Sequence, residues 1–194
     1  MMNYDPGKKE IVLGRKINDL DKFVLDFVSL LEEYVIVSGY VSILTGRSRA
    51  TEDVDLLIPE LNKAKFENIW DKLYSKGFEC LNTSISGEAY NSLKDYAIRF
   101  SRKGKPIPNM EFKIIKNDID RYSFEHKIKV RLKEGLLLIS PLEMQIAYKL
   151  YLGSEKDIED AKHLYILFKD KLNKVELLSL AGQLKVEHKL ELIK

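Results

Sequence analysis

SGYVSILTGRSRATEDVDLLI, residues 38–58, sets a serine–glycine pair 13 residues ahead of two aspartates that flank a valine. The alternation within TEDVDLLIP, residues 51–59 and closed by Pro59, is that of a β-strand. Strand side chains alternate faces, so Asp53 and Asp55 share one side, about 6.6 Å apart along the chain, while Val54, Leu56 and Ile58 turn into a core. Two carboxylates on one face repel, and the apolar strand end supplies no local cation to relieve them. A divalent ion would, and an oxygen-only ligand set with open positions favours Mg²⁺. Upstream, Ser38-Gly39 closes YVIV, a β-branched run that reads as a buried strand, and opens VSILTG, which reads as a short helix ending at Gly46. A strand-to-helix turn aims backbone N–H groups at an anion, glycine lets a phosphate approach, and Ser38 adds a hydroxyl. A phosphate cradle beside a metal-binding Asp-Val-Asp suits phosphoryl or nucleotidyl transfer, where catalysis is mainly positioning and charge neutralisation.

Around this segment the chain reads as punctuated elements. Asn18 or Asp19 caps a helix whose apolar positions run from Leu20 to Leu31 at helical spacing. A second helix is expected from Glu60 to Lys76, stopped by Gly77. GFECLN, DYAIRF, MEFKII, KIKVRL and GLLLIS read as strands, with Gly87, Gly104, Pro106 and Pro108 as turn signals between them. After residue 139 the pattern becomes helical. Ser140 with Glu143, Ser154 with Asp157, and Asn173 with Glu176 each have the spacing from N-cap to third helical residue, which predicts helices over about 141–152, 155–169 and 174–192. The reading is therefore an α/β core over residues 1–139, a mixed sheet flanked by helices, followed by a helical C-terminal subdomain over residues 140–194.

The 38–58 segment resembles the nucleotidyltransferase superfamily of DNA polymerase β, whose signature is a Gly-Gly or Gly-Ser turn followed by Asp-h-Asp, h being an apolar residue. It is most similar to small stand-alone members that include the AbiEii-type abortive-infection toxins, where a short helix ends in glycine before Arg-x-Thr-x-Asp-h-Asp. Gly46, Arg49, Thr51, Asp53 and Asp55 match in order. Ser38 stands at the family's first glycine, and Tyr40 follows Gly39, placed to narrow the nucleotide pocket or stack on a ligand. The resemblance implies a third carboxylate from a later strand, for which Glu111 in NMEFKII is the candidate. SPLEMQIAYKLYLGSEKDIEDAKHLY resembles the family's later block, through Lys149, Lys156, Asp157 and Asp160. What it implies is transfer of NMP from an NTP to a hydroxyl with release of pyrophosphate. Asp53, Asp55 and Glu111 would be catalytic and would hold two Mg²⁺ ions. Ser38, Gly39, Arg49, Thr51, Lys149, Lys156 and Asp157 would bind the nucleotide. The acceptor is RNA (tRNA included), protein or a small molecule, and in the toxin-like case a cognate antitoxin is implied. The alternative is a catalytically silent module that binds nucleotide or RNA.

The bulk properties agree with an ordinary globular chain. Of 194 residues 45% are apolar and 32% charged, and 32 basic side chains nearly cancel 30 acidic ones, a net charge of +2 too small to argue for nucleic acid or membrane. Cys80 is the single cysteine, no apolar run approaches membrane-spanning length, and the opening residues lack a signal-peptide stretch, so a cytoplasmic protein with no membrane partner is expected. His126, His163 and His188 have no zinc-ligand spacing, and P-loop, GxGxxG and GxSxG motifs are missing from the sequence. Two basic runs remain: Lys127, Lys129, Arg131 and Lys133, and Arg99, Arg102, Lys103 and Lys105. Each is either a solvated face or a track for an RNA acceptor.

Overall fold

The β-branched and aromatic runs pair into one nine-stranded sheet in the computed structural model, which describes residues 2–194. The strands are β1 (Met2–Asp5), β2 (Glu10–Leu13), β3 (Val35–Val37), β4 (Asp53–Ile58), β5 (Phe78–Cys80), β6 (Ile98–Arg102), β7 (Lys105–Ile114), β8 (Ile128–Arg131) and β9 (Leu136–Ile139). Their spatial order is β1-β2-β8-β9-β3-β4-β7-β6-β5, and β4 lies near the middle, antiparallel to β3 and parallel to β7. The helices are α1 (Asp19–Val28), α2 (Gly39–Leu44), α3 (Lys63–Ser75), α4 (Ser86–Asp95), α5 (Asp118–Glu125), α6 (Leu142–Leu152), α7 (Glu155–Phe168) and α8 (Lys174–Gln183). A short 3-10 helix, Glu187–Leu192, follows.

The face of the sheet opposite the aspartates is aromatic. Phe27 of α1 meets Phe78, Phe100 and Phe112 edge-on or tilted, and Trp70 of α3 packs on Phe100. Each such pair adds about 0.5–1.5 kcal/mol beyond the burial of its area. Val54, Leu56 and Ile58 are buried on this side as the alternation requires, which leaves Asp53 and Asp55 on the other. The helices after residue 139 contribute Leu142, Ile146, Leu150, Leu164 and Phe168 to the same apolar cluster, and Phe168 meets Tyr4 of β1 at 5.6 Å.

Several local expectations change. Ser140 does not cap α6. Its N–H donates to the Ile36 carbonyl and its hydroxyl to Ser123, so Pro141 becomes the cap position, while Glu143 accepts the Asn173 N–H at 2.8 Å. Ser154 and Asn173 do cap α7 and α8. The last helix stops at Gln183, short of 192, because Lys185 takes a positive φ of 59°. Pro106 and Pro108 lie inside β7, at a bulge against β6 and before the paired stretch with β4 begins at Asn109. A bulge tolerates proline because the missing N–H is not asked for a ladder bond. The β1–β2 hairpin, α4 and α5 have no counterpart in the sequence reading.

Candidate active site

Three neighbouring strands assemble the acidic face. In the parallel β4–β7 register Asp53 lies opposite Asn109 and Asp55 opposite Glu111, and across β6–β7 Arg99 lies opposite Glu111. Asp53, Asp55 and Glu111 thus come to one face, half-buried, as the spacing requires. Thr51 donates its hydroxyl to the Asp53 carbonyl at 2.8 Å and lies 3.3 Å from Asp53 Oδ1, so it orients the first aspartate.

The end of β4 itself supplies no cation, as expected, but β7 brings one to Asp55, and the register explains how. Lys113, one pleat beyond Glu111 on the same face, reaches back so that its Nζ lies 2.7 Å from Asp55 Oδ1 and 3.4 Å from Glu111 Oε1. Burial pulls its ammonium down, but Asp55 and Glu111 outweigh that and hold its pKa above the usual lysine value. Arg99 approaches Glu111 from the other side at 3.5 Å. Asp53 has no ion pair among the described residues. The oxygen-only pair Asp53–Asp55 suits a hard divalent cation. The space between Asp55 and Glu111 does not, because an ammonium already lies against both. No group of three or more acidic, histidine or cysteine side chains among the described residues is arranged to hold a metal.

A cleft of about 600 Å³ opens over this face, lined by Ser38, Asp55, Glu111 and Lys113 from the sheet side and by Gln145 and Tyr148 from α6. Ser38 precedes α2 with φ of 64° and ψ of −140°, and its side chain makes no capping bond. Backbone of this kind belongs almost wholly to glycine and costs a residue with a side chain about 1–3 kcal/mol. The strain sits at the position where the resembling family has glycine. Ser38→Gly is therefore expected to raise the melting temperature, by about 1 kcal/mol of stability, in a thermal melt; a lowered value would contradict the strained turn.

Of the remaining candidates, Arg49, Lys149 and Asp157 gather in a second, drier cluster. Arg47, Arg49 and Lys149 all converge on Asp160, which is fully buried: Arg49 Nη1 at 2.6 Å, Lys149 Nζ at 3.1 Å, and Arg47 through a short bond. Lys149 also donates to Asp157 at 2.7 Å, and Ser154 donates to the same carboxylate. Burial pushes the Asp157 carboxyl up, yet Lys149 and Ser154 outweigh it and hold its pKa below the usual range. Lys156 lies outside the cluster with its side chain exposed, and only its carbonyl takes part, accepting from Arg47 at 3.4 Å. The two clusters meet at the turn. A Cβ placed on Gly39 would stand 2.7 Å from Arg49 Nη1, so a side chain there would push the guanidinium from its present place over this backbone, where it bonds to Asp160.

Tyr40 does not face the cleft. It is buried, and its hydroxyl donates to Asp21 Oδ1 at 2.7 Å. Arg15 clasps the same carboxylate at 2.5 and 2.9 Å. Burial raises the Asp21 pKa, but Arg15, the Asn18 cap and Tyr40 together bring it below the usual value. Tyr40 is thus a strut between α2 and α1. The basic runs are also partly absorbed: Arg102 pairs with Asp26 and stacks on Phe78, Arg131 pairs with Glu10, and Lys127 lies over the Phe124 ring.

No family model and no curated sequence matches the chain. Solved structures do. An antigenic nucleotidyltransferase-like protein from Paracoccidioides brasiliensis aligns with a TM-score of 0.54 at 16% identity, over 91% of this chain and 94% of its own. The solution structure of the antibiotic-resistance factor ANT(2″)-Ia aligns with a TM-score of 0.52 at 12% identity, over 88% and 93%. The chain has a nucleotidyltransferase fold. The mixed sheet flanked by helices agrees with that expectation, and at these identities the likeness speaks for the fold alone. No helix among the described residues is long and apolar enough to cross a membrane.

Proposed function

We propose that this chain is a metal-dependent nucleotidyltransferase that moves NMP from an NTP to a hydroxyl acceptor and releases pyrophosphate. The observation that carries the reading is the in-register meeting of Asp55 with Glu111, one pleat from Asp53, under a cleft whose edge is the strained Ser38 turn. A divalent ion bound at Asp53 and Asp55 supplies charge neutralisation for the polyphosphate. Ser38 and Gly39 offer backbone and hydroxyl donors to the outer phosphates. Glu111 takes the proton from the acceptor hydroxyl as its oxygen attacks the α-phosphorus. Arg49 and Lys149, both committed to Asp160, act by holding the turn and α6 in place, and Thr51 orients Asp53.

The acceptor we favour is a small molecule. The cleft volume lies within the range of small-ligand sites. Gln145 of α6, almost fully buried, lines the same cleft and has a buried Oε1 without a hydrogen-bond partner. The basic runs that would carry an RNA acceptor spend part of their charge in ion pairs. The toxin-like reading rests on the resemblance of Gly46, Arg49, Thr51, Asp53 and Asp55, in sequence order, to AbiEii-type proteins. A silent nucleotide-binding module is the second reading, favoured by the Lys113 contact with both Asp55 and Glu111.

Thermal shift with each of the four NTPs separates the two. The enzyme reading expects a rise in melting temperature that needs Mg²⁺ and disappears in Asp53→Ala. Stabilisation independent of both metal and Asp53 would favour the silent module.

A further inference from the structure

We propose that the Lys113 ammonium occupies the place of a second cation, so that this site takes one divalent ion, on Asp53 and Asp55, and not two. The inference rests on the nucleotidyl-transfer reading and concerns how its charge is supplied. Lys113 arrives by register: Asp55 lies opposite Glu111 and Leu57 opposite Lys113, so the lysine is on the acidic face and one pleat away. Its Nζ contacts one oxygen of Asp55, Oδ1, at 2.7 Å and one oxygen of Glu111 at 3.4 Å.

Those are the two carboxylates that a second ion would have to bridge. A Mg²⁺ ion binds oxygen at about 2.0–2.1 Å, so a second ion on Asp55 Oδ1 would stand within a few ångströms of the ammonium. Like charges so close repel strongly, and among the described residues Asp55 and Glu111 are the only acids within ion-pair distance of Lys113, with Asp95 and Asp120 farther off along the cleft wall. Arg99, 3.5 Å from Glu111, adds to the same repulsion. Asp53 differs. It has no ion pair among the described residues, and the Lys113 hydrogen bond is to Asp55 Oδ1, so the Asp53 carboxylate and Asp55 Oδ2 are the oxygens left for a single ion. Glu111 is then held by two cations rather than by metal, with its second oxygen left to accept a proton.

Native mass spectrometry tests this by counting Mn²⁺, used in place of Mg²⁺, in the complex with a non-hydrolysable analogue of the NTP that stabilises the protein most. The wild type is expected to carry one Mn²⁺ per complex, Lys113→Arg one, and Lys113→Met two. Two ions in the wild type would overturn the inference and leave the transfer reading standing. One ion in both the wild type and a folded Lys113→Met would overturn it as well, since the lysine would then not be what keeps the second ion out. No ion in the wild-type complex would overturn the inference and the metal-dependent reading together.

Discussion

Asp53→Ala protein is expected to fold normally and to transfer nucleotide about 10³-fold more slowly than the wild type, or worse. A bound divalent ion contributes several kcal/mol of charge stabilisation to phosphoryl transfer, and each 1.36 kcal/mol is tenfold in rate. Asp53 is the carboxylate to remove because its partners are few. Thr51 donates to it, and it has no ion pair among the described residues. Deleting it relieves repulsion with Asp55 and orphans no cation, so the melting temperature without nucleotide is expected to hold or rise slightly. Asp55 would be the less clean choice, since its loss leaves Lys113 facing Glu111 alone. Initial rates and thermal melts on the same preparations check both halves: a large loss of stability in Asp53→Ala would mean that the residue is structural.

The second large effect lies in the buried cluster and is a loss of stability. Asp160→Ala leaves Arg47, Arg49 and Lys149 without the carboxylate they share, and the Lys149 side chain is only 3% exposed. Removing one partner from a buried ion pair costs about 3–5 kcal/mol, because the remaining charge stays desolvated. For a chain of this size that lowers the melting temperature by roughly 10 °C. The turn should suffer with it, since Arg49 lies over Gly39 only while Asp160 holds it. Arg49→Met in the Asp160→Ala background is expected to recover part of the loss, since Arg49, 9% exposed, has no other ion pair among the described residues, whereas Lys149 keeps Asp157. Thermal or urea melts of the single and double variants measure this, and a shift under about 1 °C for Asp160→Ala would contradict the cluster's structural role.

What was readable from the sequence divides along the line between local and distant contacts. Asp53 and Asp55 share a face because strand alternation is local, and Asn18, Ser154 and Asn173 cap helices because a cap reaches only three residues ahead. Glu111 was reachable only through the family resemblance, which implies a third carboxylate between apolar residues of a later strand. Lys113 was not, since its role depends on how β7 aligns with β4, 58 residues away in sequence. Ser140 carried a correct local signal that lost to distant partners, Ile36 and Ser123. Tyr40 followed the Ser-Gly turn closely enough to suggest the pocket, yet Asp21 and Arg15 draw it into the core. Helix α4, SGEAYNSLKD, is weak by propensity and is held by burying Ala89 and Leu93 and by Tyr90 bonding to Leu61. The N-terminal hairpin did leave a trace, Asp5-Pro6-Gly7 between two short apolar runs, but its strands are four residues each and β2 finds its partner in the distant β8.

The most direct test of the central claim follows the α-phosphate. The purified protein is incubated with Mg²⁺ and each NTP labelled at that position, in the presence of a small-molecule extract, total RNA or cell protein, with pyrophosphate measured in parallel and Asp53→Ala as the control. The account predicts pyrophosphate release matched by label appearing in one acceptor fraction, the small-molecule fraction first, and both lost in the variant. Label transfer equal in the wild type and Asp53→Ala, or no pyrophosphate with any NTP and any acceptor fraction, would contradict it.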